Sequence, residues 1–293
     1  MSVIAGALRG VYPILAMPFD AAGRIDTEIL QDEVEFMIEA GVHGVGIALA
    51  SEVPMLTETE RDLALRTVVS QARHRVPVVM NTGAPGTDLA VYYSQRAEDL
   101  GAEAVMVLPP VGATPQETIR YYRQIAGCIR IPIIVQDAAH AQVSPLQAAQ
   151  LAASAERDWY LKVETPPTAP RVAEARAVSD GRLGVFGGAG GVSFLQELRR
   201  GAQGTMPGSA IPDVFVRVWD LFQSGQVDKA ETVLSQCATL LKLLSQEGGI
   251  LFYLYKEVLR LRGVSPIRLS ASPLLSLTRS PTGSFAERWS YLV

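Results

Sequence analysis

The stretch "EAVMVLPPVGATPQETIRYYRQIAGCIRIPIIVQD", Glu103–Asp137, decides the fold. It opens on a short apolar run rich in β-branched residues, crosses a turn marked by Pro, Gly and Thr, and continues as a helix-like segment over 115–128. It closes on a second apolar run, "IPIIVQD". A strand, a helix and a strand in that order read as one βαβ unit. Runs that are apolar throughout, rather than at alternate positions, belong to a parallel sheet buried on both faces.

The same alternation extends outward over residues 12–208. The other runs are "VYPILAMPF", "GVGIALA", "VPVVMNTG", "WYLKVE", "LGVFGG" and "AQGTMPG", and further helix-like segments cover 27–40, 57–74, 88–100, 145–155, 168–178 and 192–200. Eight such units predict an α/β fold of the (β/α)8 TIM-barrel type. Thr57 and Glu60 have the T-x-x-E spacing of a capping box, and Gly41, Gly101 and Gly201 follow helix-like segments where a C-terminal cap is expected. Beyond 208 the alternation stops, and "IPDVFVRVWDLFQSG", "VDKAETVLSQCATLLKLLSQ" and "ILFYLYKEVLRLRG" read as three helices. The first serves as the eighth barrel helix. The expected division is therefore a barrel over 1–223 and an appended C-terminal helical extension over 224–293, ending in an irregular tail from 264.

Composition narrows the function classes. Of 293 residues, 48% are hydrophobic and 19% charged, an ordinary globular balance. The formal net charge of −4 carries no electrostatic footprint for nucleic acid. Cys128 and Cys237 are the only cysteines, too few and too far apart for a zinc site or a disulfide framework, so a reducing cytoplasm is expected. The N-terminal stretch lacks the basic region of a signal peptide, and nowhere do about 18 apolar residues run together as a membrane span requires. No membrane partner is expected.

Lysine is scarce: among 26 basic residues only Lys162, Lys229, Lys242 and Lys256 are lysines. The last three fall in C-terminal stretches of helical period and read as solvated helix faces. Lys162 differs, because "DWYLKVETPP" places it inside a buried strand where an ammonium is costly. Residues two apart on a barrel strand share a side, so Tyr160, Lys162 and Glu164 face the same way, with Glu164 at the C-terminal end where this fold keeps its active site. Desolvation favours the neutral form of such an amine. A neutral amine attacks a ketone, and the iminium it forms draws electrons from the neighbouring carbon. Glu164 is expected either to support that iminium and move a proton or simply to pair with Lys162.

These residues, with "MPFDAAGRID", "ASEVPMLTETER", "NTGA", "IPIIVQD" and "YLKVE" in that order, resemble the dihydrodipicolinate synthase/N-acetylneuraminate lyase family over nearly the whole chain. The resemblance implies a Schiff base between Lys162 and a 2-oxo acid, no metal or organic cofactor, and a homotetramer. The chain departs from the family's pattern at its proton carriers. Gln136 stands where aldolase members carry a tyrosine, Pro110 and Val111 replace a tyrosine pair, and Leu49 and Ala50 replace two threonines.

A hydroxyl relay built from those positions cannot operate, which favours dehydration of a 2-keto-3-deoxy sugar acid such as 2-keto-3-deoxyarabonate. Retro-aldol cleavage releasing pyruvate, and a barrel that binds 2-oxo acids without catalysis, are the other readings. The expected catalytic set is Lys162, Glu164 and Gln136, the last able to hydrogen-bond a hydroxyl or water. Asp137 and His140, on the loop after strand five, are further acid–base candidates. For substrate binding the candidates are the Ala50 and Ser51 amides with the Ser51 hydroxyl, then Gly188 after strand seven and Met206 on the eighth run.

Overall fold

Each apolar run becomes a short strand in the computed structural model, which describes residues 8–153, 157–245 and 250–264. The strands are β1 (Gly10–Val11), β2 (Val45–Ile47), β3 (Val78–Asn81), β4 (Ala104–Val107), β5 (Ile133–Asp137), β6 (Trp159–Val163), β7 (Gly184–Gly187) and β8 (Gly204–Thr205). All pair in parallel, in sequence order from β2 to β8, with β1 beside β8. Ile14 closes the barrel by bridging both Gly46 and Gly208. The Gly46 N–H donates to the Pro13 carbonyl at 2.9 Å and the Leu15 N–H to the Gly46 carbonyl at 2.8 Å. The first run is thus less of a strand than the sequence suggests, because Pro13 and Pro18 supply no N–H to a ladder.

Between the strands lie α1 (Thr27–Glu39), α2 (Glu58–Ala72), α3 (Thr87–Asp99), α4 (Pro115–Cys128), α5 (Pro145–Ala153), α6 (Thr168–Val178) and α7 (Phe194–Leu198), and α8 (Pro212–Gln223) completes the outer ring. The Thr57–Glu60 capping box forms as the spacing predicts: Thr57 accepts from the Glu60 N–H and Glu60 from the Thr57 N–H. Thr114 and Glu117 build a second one at the start of α4. Gly41, Gly101 and Gly201 adopt the positive φ of helix caps. The main core lies between strands and helices, and a separate cluster fills the barrel. Among the described residues no helix is long and apolar enough to cross a membrane.

The C-terminal helices depart from the sequence reading in two ways. The second expected helix is split into α9 (Val227–Gln236) and α10 (Ala238–Leu243). Cys237 leaves the helical region at φ −95°, ψ 3°, and its N–H turns back to the Leu234 and Ser235 carbonyls. On α11 (Ile250–Leu261), six consecutive residues, Leu254 to Leu259, are buried, so this helix is covered around its girth. Lys256 is therefore no solvated residue: it is 3% exposed and pairs with the fully buried Glu52. Burial lowers its pKa, opposed by the charges of Glu52 and Glu33, and its ammonium lies 4.9 Å from the Phe19 ring centre. The expected tail lies outside the described residues.

Glu52 follows the loop of β2 at φ 58°, so the Lys256–Glu52 pair fastens the C-terminal layer to the barrel mouth. Breaking a buried pair at one partner strands the other charge. Lys256→Met is expected to destabilise the protein by roughly 3–5 kcal/mol in urea unfolding, and adding Glu52→Gln to it should recover most of that loss.

Candidate active site

The barrel interior has an apolar floor and a polar mouth, and strand parity sorts them. Tyr12, Val79, Ala104, Met106, Ile134, Tyr160, Phe186 and Met206 belong to the interior cluster. Phe186 meets Tyr12 edge-on at 5.5 Å and Tyr160 at 5.8 Å, plugging the centre with aromatic rings. One step of the same parity toward the C-terminal ends brings Asn81, Gln136 and Lys162 to the inner wall, with Lys162 in register with Gln136 on β5 and Phe186 on β7.

Lys162 is 4% exposed, and its Nζ lies 3.0 Å from Glu164 Oε1, so the expected pairing on one face of β6 is formed. The other carboxylate oxygen, Oε2, accepts from Gln136 Nε2 at 2.7 Å. Gln136 Oε1 in turn accepts from Asn81 Nδ2 at 3.1 Å. Asn81 on β3, Gln136 on β5, Lys162 on β6 and Glu164 just past β6 are thus linked across the mouth in one row of two hydrogen bonds and an ion pair. The ammonium is compensated by a carboxylate that is itself hydrogen-bonded, as a buried charge requires. Gly188 takes part by lacking a side chain: a Cβ there would come within 2.4 Å of Glu164 Cγ.

The remaining candidates take other places. Asp137 is not on a loop but ends β5, and its parity turns it outward. There it is fully buried, accepts from Thr165 Oγ1 at 2.8 Å and the Val143 N–H at 3.0 Å, and pairs with Arg171 at 2.8 Å. It is a structural anchor for the β5–α6 region. His140 is exposed. The Ser51 hydroxyl donates to the Leu15 carbonyl at 2.5 Å and accepts from the Ala48 N–H at 3.1 Å, while the Ser51 N–H donates to the Ala48 carbonyl at 2.9 Å. Ser51 therefore ties the loop after β2 to the first segment. Ala50 packs against the interior cluster at the mouth, and Met206 is part of the floor. Among the described residues no group of three or more His, Cys, Asp or Glu side chains is placed to hold a metal ion.

The chain matches the model of the dihydrodipicolinate synthetase family over residues 7–288. It belongs to that family. Among curated relatives, it is 33% identical over 97% of its length to an L-2-keto-3-deoxyarabonate dehydratase of Azospirillum brasilense, covering 96% of that protein. It is 29% identical to a 4-hydroxy-tetrahydrodipicolinate synthase of Methanococcus maripaludis, over 81% of this chain and 83% of that one. Among solved structures, the dihydrodipicolinate synthase of Rhodopseudomonas palustris superposes with a TM-score of 0.86 at 27% identity, covering 97% of this chain and 96% of its own. Family membership, the TIM barrel and a lyase-class chemistry follow.

Sequence reading passed over Asn81 and Glu197. Asn81 is legible in retrospect as a polar residue on the inward parity at the end of "VPVVMN". Glu197, on α7, is fully buried against β7, where a Cβ on Gly187 would overlap its Oε2 at 1.7 Å. Neither oxygen has a hydrogen bond of full geometry among the described residues. Burial pushes the carboxyl up to about 7, with Thr168 pulling down and the Glu164 charge pushing further up.

This displacement has a sign for stability. Between about 4.5 and about 7 the folded chain keeps a proton on Glu197 that the unfolded chain releases, so stability falls as pH rises through that window and stays lower above it. Glu197→Gln removes the dependence. The variant is expected to gain about 3 kcal/mol relative to wild type on going from about pH 4 to about pH 8, measured by urea unfolding at both. Glu33, which burial also lifts to about 7, is present in both proteins and cancels in the comparison.

Proposed function

We propose that the protein is a Schiff-base hydro-lyase that dehydrates a 2-keto-3-deoxy sugar acid such as 2-keto-3-deoxyarabonate. The observation that carries this reading is the Glu164 carboxylate, held between Lys162 at 3.0 Å and Gln136 at 2.7 Å, with Gln136 standing at the position where the family resemblance expects the tyrosine of the aldolase members. Likeness to the Azospirillum dehydratase along nearly the full chain supports the same choice.

Glu164 takes a proton from the Lys162 ammonium, and the freed amine adds to the C2 carbonyl. Glu164 returns that proton to the carbinolamine hydroxyl, which leaves as water, and an iminium remains on Lys162. The iminium acidifies C3. Glu164, again a carboxylate, removes a C3 proton to give an enamine. The enamine expels the C4 hydroxyl, which takes the proton from Glu164 and departs as water. Loss of one C5 proton and gain of one at C3 give a C4–C5 enol, whose hydroxyl proton moves to C4 to leave the C5 aldehyde, and hydrolysis of the imine releases the product and Lys162. One carboxyl handles one proton at a time, so no second acid is needed. Gln136 steadies Glu164, and the Ala50 amide, at the mouth, meets the substrate carboxylate while Ser51 holds its loop.

Incubation with 2-keto-3-deoxyarabonate is expected to yield 2,5-dioxopentanoate and no pyruvate. Pyruvate with a two-carbon aldehyde would assign retro-aldol cleavage instead, and binding without any product would assign a non-catalytic barrel. Glu164→Gln, which keeps the shape and removes the proton carrier, should lower kcat roughly 10²–10⁴-fold with a folded protein by circular dichroism.

A further inference from the structure

We infer that Asn81 is a positioning residue that fixes which end of the Gln136 amide faces Glu164, and so keeps Glu164 in its proton-accepting form. The inference rests on the reading of Glu164 as the proton carrier.

A primary amide presents a donor and an acceptor on nearly identical shapes, so Gln136 alone could turn either end to Glu164. Paired with the Lys162 ammonium, Glu164 is an acceptor, and Gln136 must offer it the Nε2 hydrogens. The Gln136 oxygen then points the other way and needs a donor, which Asn81 Nδ2 supplies at 3.1 Å. Both hydrogen bonds in the row run one way, Asn81 to Gln136 to Glu164, with the Lys162 ammonium paired to Glu164 from the far side. Asn81 and Gln136 are 3% and 1% exposed, so bulk water does not readily replace either bond.

The strand end that carries Asn81 is held from outside the barrel. The Arg61 guanidinium on α2 donates to the Asn81 main-chain carbonyl at 2.8 Å and lies 4.1 Å from the centre of the Tyr93 ring on α3. Next to Asn81, the Thr82 hydroxyl is 2.7 Å from the Ser94 hydroxyl. The donor therefore sits on a strand end fastened by two helices. Among the described residues, Glu197 on α7 and Tyr255 on α11 are within electrostatic reach of Glu164, while the Asp137–Arg171 pair lies on the outward side of β5. None of these meets the Gln136 oxygen, and Asn81 donates to it.

Two near-isosteric variants of the full-length enzyme test the assignment, with kcat and KM for the 2-keto-3-deoxy acid measured across pH. Asn81→Asp replaces the donor with an acceptor. Gln136 is then expected to reverse, presenting its oxygen to Glu164, which that oxygen stabilises only when protonated. The acid limb of kcat/KM should move up by about one pH unit, with kcat lowered about tenfold or more near neutrality. Asn81→Leu removes the bond without reversing it: kcat should fall about tenfold with KM changed less than about threefold, and the acid limb should stay in place. A folded Asn81→Asp whose acid limb coincides with wild type, or a folded Asn81→Leu with unchanged kcat, overturns the inference. Should Asn81→Asp not fold, the kcat–KM split of Asn81→Leu decides alone. Absence of any wild-type turnover overturns the functional reading itself, so the two failures are distinguishable.

Discussion

An ammonium inside a parallel barrel is the constraint on which the rest of this site depends. Lys162 lies at 4% exposure, one parity step above a plug of tyrosine and phenylalanine rings. Left alone there, a charge costs far more than one side chain's packing can offset. The Glu164 carboxylate at 3.0 Å meets that cost, and its second oxygen must then be satisfied, which draws in Gln136 and through it Asn81. Gly188 lacks a side chain for the same reason, since the carboxylate has to lie across it. One buried amine thus dictates residues on three strands and on the loop after a fourth.

A second buried pair repeats the principle at the barrel's rim with a different outcome. Lys256 reaches from α11 to Glu52 on the loop after β2, beside Glu33. The pair locates the C-terminal layer over the same end of the barrel and holds the loop that carries Ala50 and Ser51. The two lysines buried by the fold differ in the element they stand on: Lys162 on a strand whose inward face ends at the mouth, Lys256 on a helix packed on all sides.

Much of this was legible in the chain. The βαβ alternation foretold eight parallel strands, and the position of Lys162 two residues before Glu164 foretold their shared face, because strand parity is a local property. The Gln136–Lys162 register was out of reach, since pairing depends on where β5 and β6 start relative to each other. Asp137, expected on the loop after strand five, is the last residue of β5, and its parity there turns it outward to anchor Arg171. Lys256 was read as solvated because amphipathic period says which face is apolar, not whether the other face will also be covered. Ser51 offered the right chemistry for an anion, but its hydroxyl is taken by the Leu15 carbonyl, a partner 36 residues away that no local pattern announces.

The central claim is that the Lys162 amine forms a covalent imine with a 2-oxo acid, and reductive trapping tests it most directly. Wild-type protein incubated with a 2-keto-3-deoxy acid and borohydride, then measured as intact protein and as peptides, should carry one reduced adduct located on Lys162, absent without the keto acid and absent in Lys162→Ala. An adduct on any other lysine, or no adduct with a panel of 2-oxo acids, would contradict the account.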